Sequence, residues 1–94
     1  MILDFGDKET QKIWQGEFSR KLPIEIQEIA RRKLRMLNRS QNLFDLIVPP
    51  SNHLEQLKGD LKDFHSIRIN LKWRIIFIWN IDCASKVEII DYHK

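Results

Sequence analysis

Between Pro23 and Asn38 apolar residues return at three- and four-residue steps, with Ile26, Ile29, Ala30, Leu34 and Leu37 on one side and Glu25, Glu28, Arg31, Arg32 and Arg35 on the other. At about 3.6 residues per turn that spacing makes a single stripe, so the segment predicts an amphipathic helix opened by Pro23. Further along the chain the period shortens. Ser66-Ile67-Arg68-Ile69 alternates residue by residue, the pattern of a strand with one buried face. Trp73 to Asn80 is apolar on both faces apart from Arg74, which predicts a central strand covered on both sides. Asp82 to Ser85 reads as a turn, and Lys86 to Ile90 as the last strand.

Shorter elements fill the remainder. Met1 to Phe5 is a strand candidate for a sheet edge, ended by Gly6-Asp7, and Lys8 to Gly16 a short helix stopped by its glycine. Asn42 to Val48 reads as a helix with Leu43, Leu46 and Ile47 inward, halted by Pro49-Pro50, which offer no backbone donor. Asn52 to Gly59 reads as a strand with Leu54 and Leu57 inward and a turn at Lys58-Gly59-Asp60. One strand, helices and then an antiparallel meander define an α+β fold, with N-terminal helices packed on a small antiparallel β-sheet. At 94 residues the chain is one domain, 1–94.

Composition narrows the class. With 43% hydrophobic and 31% charged residues, the chain has the balance of a soluble globular protein. Its longest apolar run, Ile75 to Trp79, is far short of a membrane span, and no basic-then-apolar signal pattern opens it, so the expected location is the cytoplasm. Cys83 is the only cysteine, which excludes an internal disulfide and a cysteine-based metal cluster. A net charge of +3 suits a nucleic-acid partner without requiring one. The polar side of the long helix, with Arg20, Lys21, Lys33 and Arg39 nearby, reads either as a solvated face or as a phosphate contact through Arg31 and Arg35.

Chemistry concentrates in the last third. If the loop joining Arg68 to Arg74 is odd, such as Asn70-Leu71-Lys72, the two arginines stand opposite each other on one face; an even loop separates them. The odd register groups the cations, with Lys72 beside them, into a clamp for a phosphate. The alternative is that Arg74 pairs with a structural carboxylate such as Asp91. Tyr92 offers a ring that stacks on a base, and His93 titrates near neutral pH. Cleavage of RNA by its own 2′-hydroxyl needs a proton acceptor, cationic support for the crowded phosphate and a donor to the leaving 5′-oxygen; His93, the arginines and Lys58 are candidates for these roles, the alternative being that a histidine beside the C-terminus is frayed and idle. His53 and His65 have no metal-ligand spacing with carboxylates, and the three scattered glycines form no phosphate loop.

Pro50-Ser51-Asn52-His53-Leu54-Glu55-Gln56-Leu57-Lys58-Gly59, Ser66-Ile67-Arg68-Ile69-Asn70, Trp73-Arg74-Ile75, Val87-Glu88-Ile89 and Asp91-Tyr92-His93 resemble, in order and spacing, the HigB toxins of the RelE-like superfamily of type II toxin–antitoxin pairs. The resemblance implies an mRNA endonuclease that cuts translated message in the A site of the 30S ribosomal subunit and needs no metal or other cofactor. It implies that Lys58, Arg74, Asp91, Tyr92 and His93 take part in cleavage and that Arg68 contacts phosphate. Some members have a histidine where this chain has Glu55, so the base is Glu55, His53 or His93. The reading adopted takes His93 as principal acid and base, Asp91 as its orienting group and Tyr92 as the stacking ring. The implied partners are a HigA-like helix-turn-helix antitoxin, the ribosome with its mRNA, and operator DNA through the antitoxin, with no membrane. Two readings from other classes stand beside it: a RelE-fold toxin that binds without cutting, and a basic RNA-binding domain.

Overall fold

The computed structural model describes residues 1–92. Asp7 opens the first helix, α1 (Lys8–Trp14), by accepting from the Thr10 amide at 3.1 Å, which satisfies a donor the helix cannot. Gly16 then takes φ 87°, a left-handed value at which a side chain would clash, and the chain leaves the helix there. The long helix, α2 (Ile24–Arg39), has Pro23 as N-cap and buries Ile26, Ala30, Leu34 and Leu37. Ile29 is half-buried against the same core.

The sheet has four antiparallel strands in chain order: β1 (Glu55–Gln56), β2 (His65–Arg68), β3 (Trp73–Asn80) and β4 (Cys83–Asp91). This is the expected α+β arrangement, two helices on an antiparallel sheet. Ile67 pairs with Ile75 and Ile75 with Ile89, and these residues join Phe77, Val87 and the apolar stripe of α2 in one core. Each fully buried aliphatic or aromatic side chain contributes about 1.5–3 kcal/mol. The intervening positions face the other way. Glu55 opposes Ser66, Ser66 opposes Ile76, Arg68 opposes Arg74, and Arg74 opposes Ile90, so these residues share the open face.

The N-terminal segment does pair at a sheet edge. It runs parallel to β4 through bridges at Ile2–Ala84 and Phe5–Val87, with amides of Leu3 and Gly6 donating to the carbonyls of Ala84 and Val87 at 2.8 Å each. Beyond Val87 the edge is taken over by α1, where the buried Thr10 hydroxyl accepts from the Ile89 amide at 2.9 Å.

Three expectations are corrected. Asn52 to Gly59 is not one strand: Pro50–Asn52 forms a 3-10 turn, His53 takes φ 44°, and only Glu55–Gln56 pairs. The cause is local. Asn52 is buried and its amide donates to the Leu46 carbonyl at 3.0 Å, a bond that an extended Asn52 would forfeit. Ile47 is 51% exposed rather than inward, because Leu43–Ile47 is a 3-10 helix in which positions three apart align, so Leu43 and Leu46 share the inner side. The last strand begins at Cys83 rather than Lys86, since Asn80 pairs directly with Cys83 across a tight turn at Ile81-Asp82. A bulge follows, with Ile76 opposite Glu88 and Ile78 opposite Ser85, and Lys86 at φ 51° absorbs the extra residue.

Candidate active site on the open sheet face

The turn after β2 decides the register of the arginines. Asn70 Oδ1 accepts from the amides of Lys72 and Trp73 at 2.8 Å each, and the Ile69 amide donates to the Trp73 carbonyl at 2.9 Å. The side chain of Asn70 thus closes a three-residue loop, Asn70-Leu71-Lys72, and the odd register follows. Arg68 and Arg74 are directly opposed.

They do not, however, converge on one clamp. Arg74 is 7% exposed and committed on one side: Nη1 donates to Ser66 Oγ at 2.7 Å and to the His53 carbonyl at 3.2 Å, while Nη2 lies 3.7 Å from Glu55 Oε1. The carboxylate against Arg74 is therefore Glu55, whereas Asp91 lies 3.9 Å from Lys72 Nζ. Arg68 instead lines a cleft beside α2, and its buried Nε has no partner among the described residues. Ser66 carries no mark in the sequence beyond its polarity, but its place on the polar side of an alternating strand is the signal that it supports an open-face group.

Glu55, Gln56, Leu57, Lys58 and Tyr92 line an open-face cleft of about 360 Å³. β1 brings Glu55 there, the turn after β1 brings Lys58, and Tyr92 arrives from the end of β4, its amide donating to the Lys72 carbonyl at 2.9 Å. The fold thus gathers Glu55, Lys58 and Tyr92 in one place, with Arg74 joined to Glu55. His53 contributes its carbonyl to Arg74 but also lines the cleft beside α2, together with Arg68. Lys72 is on the exposed loop with Asp91 as its ion-pair partner. His93, the expected principal acid and base, lies outside the described residues.

Arg31 departs from the expectation of a free basic face. Its Nε donates to the Ile13 carbonyl at 2.9 Å and its Nη2 to the Glu17 carbonyl at 3.1 Å, with Glu28 3.5 Å from Nη1. Those carbonyls lie at and just past the C-terminal end of α1, where a cation is favoured, so Arg31 ties the two helices together. Arg35 is exposed.

A cationic cleft beside α2 and a cluster of arginine, lysine, carboxylate and tyrosine on the open face, carried by two helices and a four-stranded antiparallel sheet, define a small α+β protein whose charged groups gather at one end of its sheet. A family model described as the RelE-like toxin of type II toxin–antitoxin system HigB matches residues 3–93, and the chain belongs to that family. It is 37% identical over 95 residues to Toxin HigB-1 of Vibrio cholerae serotype O1, an alignment spanning 100% of this chain and 99% of the relative. An uncharacterized protein of Haemophilus influenzae is 36% identical over 74 residues, covering 78% of this chain and 73% of that one. Membership of a type II toxin–antitoxin family implies an antitoxin partner. No helix among the described residues is long and apolar enough to cross a membrane.

Proposed function

We propose that this toxin is a ribosome-dependent mRNA endonuclease that cleaves translated message in the A site by acid–base catalysis without a metal. The observation that carries the reading is the grouping of Glu55, Lys58 and Tyr92 in one cleft with Arg74 ion-paired to Glu55. In this mechanism the 2′-hydroxyl attacks the adjacent phosphorus while a base takes its proton. The P–O bond to the 5′-oxygen then breaks, and an acid protonates that oxygen, leaving a cyclic phosphate and a 5′-hydroxyl. Arg74 and Lys58 face the charge that builds on the phosphate, and Arg74 is held in one geometry by Ser66 and the His53 carbonyl. Tyr92 stacks on a nucleotide base in the same cleft. His93 is the principal acid and base, oriented by Asp91, and Glu55 steadies Arg74. His53 is the weakest of the three base candidates, because it also lines the other cleft.

The antitoxin neutralises the toxin, and the pair binds its operator through the antitoxin's helix-turn-helix domain. Arg35, exposed on α2, and Lys72 on the loop are contacts for the ribosome-bound message. The test is to add purified toxin to translating ribosomes with and without a chelator and to map message ends. Cuts inside translated codons that survive chelation support the proposal. Intact messages with arrested translation would refute it and favour a toxin that binds without cutting.

A further inference from the structure

The cleft between α2 and the end of β2 is larger than the one on the open face, about 450 Å³ against about 360 Å³. Arg32, Lys33 and Arg68 line it, and among the described residues no carboxylate does. Two of the three, Arg68 and Lys33, stand in a way that invites an anion. The Nε of Arg68 is buried without a partner among the described residues. Burial, and secondarily the charge of Arg32, holds the Lys33 ammonium below its usual pKa, so its charge is incompletely compensated. Lys33 Nζ donates to Asn52 Oδ1, and Asn52 is itself buried and bonded through its amide nitrogen to the Leu46 carbonyl, so the ammonium is set on a rigid support. Ile29, Met36 and Ile69 supply apolar walls, which strengthen charge interactions by excluding water.

The cleft is joined to the open face at two points. Arg68 is directly opposite Arg74, and His53 gives its carbonyl to Arg74 while lining the cleft. Directly opposed residues have Cα atoms about 4.5–5.5 Å apart, so a strand of RNA with one phosphate near Arg74 carries its neighbouring phosphate toward Arg68.

We propose that this cleft is a second phosphate subsite, in which Arg32, Lys33 and Arg68 hold the phosphodiester next to the one cleaved on single-stranded RNA. The proposal rests on the nuclease reading and extends it: the arginine pair serves two consecutive phosphates rather than one. Occupancy gives Arg68 Nε its missing acceptor and offsets the repulsion between Arg32 and Lys33.

The test uses the full chain and a fluorescent 2′-O-methyl hexanucleotide, which has no 2′-hydroxyl to react. Its affinity is measured by anisotropy over a salt series, with each phosphate replaced in turn by a neutral methylphosphonate. For the parent protein, one position next to the central phosphate should weaken binding about tenfold and lower the slope of log affinity against log salt by about 0.7. Arg32→Gln, at an exposed position, should show the same loss with the unmodified oligonucleotide and no further loss with that methylphosphonate. Arg32→Lys should restore most of the affinity. Equal sensitivity of parent and Arg32→Gln at every position, or no measurable binding by the parent, overturns the subsite. Inorganic phosphate binding as tightly as the oligonucleotide would make free phosphate the ligand and also overturn it. An antitoxin that loses affinity for Arg32→Gln while RNA does not would assign the cleft to protein instead. Message cleavage with an affinity indifferent to Arg32 sinks the subsite alone; an intact phosphate dependence without cleavage sinks the nuclease alone.

Discussion

Replacing Ser66 by alanine removes one hydroxyl from a fully buried position and leaves the strand otherwise unchanged. That hydroxyl accepts from Arg74 Nη1 at 2.7 Å, inside a sheet where water does not substitute for it. A hydrogen bond to a charged group contributes about 1.5–3 kcal/mol. The His53 carbonyl stays on the same nitrogen at 3.2 Å, so the lower end of that range, about 1.5 kcal/mol, is expected. For a domain of this size the melting temperature should fall by about 6–12 °C. The bond also fixes where the guanidinium points, so cleavage by ribosome-bound toxin should slow about tenfold, the equivalent of about 1.4 kcal/mol in the barrier. Arg74→Met completes a double-mutant cycle. Thermal melts of the parent, the two single variants and the double variant should give a coupling of at least about 1 kcal/mol. Additive effects, or a Ser66→Ala protein that melts and cuts like the parent, would refute the view that Ser66 positions Arg74.

His93→Ala should reduce cleavage at least about 10²-fold with little change in melting temperature, whereas Glu55→Gln should keep the acidic limb of the pH–rate profile; loss of that limb in Glu55→Gln would move the base to Glu55. Arg31→Met removes a charged donor from two carbonyls and should cost about 2–3 kcal/mol in a denaturant melt, and a stable variant with weakened RNA binding would return Arg31 to the interface. Burial against Phe77 depresses the pKa of His65 below the usual 6.5, so the folded state resists its protonation. Its stabilising contribution is present above the ordinary histidine range and lost as pH falls through the depressed value. Glu88 is shifted the other way, upward through burial and then the charge of Asp7, so its contribution is present at low pH and lost as pH rises through the raised value. Melts between about pH 5 and pH 8 should therefore show His65→Gln less sensitive to acid than the parent and Glu88→Gln gaining most at neutral pH. Parallel pH curves for all three proteins would contradict both assignments.

The parts of the fold that could be read from sequence are those where one periodicity rules a long segment. The stripe from Ile26 to Leu37 and the alternation around Ile67 each allow one burial solution, and both formed. Loop parity reduced the arginine register to two alternatives, and the Asn70 side chain that closes the three-residue loop selects the odd one. Where it ended up short was in what the guanidiniums do afterwards: Arg74 is captured by Ser66 and the His53 carbonyl, contacts set by tertiary distance and by a left-handed residue that no pattern announces. Asn52 was missed for a similar reason. Read only as the first residue of a strand, it carried no sign that its side-chain amide satisfies a loop that the two prolines leave short of donors. Likewise Arg31 looked like one more member of a basic face, and only the packing of α2 on α1 places the helix-end carbonyls within its reach.

The arrangement along the outer side of β4 also governs what the sheet can add. Amides of Ala84, Val87 and Ile89 are taken by Met1, Asp4 and Thr10, and the Lys86 amide by the Asp4 carboxylate. A chain seeking to extend the sheet there, whether a partner's strand or a second copy in an aggregate, must first peel away the N-terminal segment and part of α1. The opposite margin, at β1, offers only Glu55–Gln56 and carries a residue of the cleft. A partner that grips this protein by adding a strand would therefore reach the sheet at the cleft itself, and binding by that route would occlude Glu55.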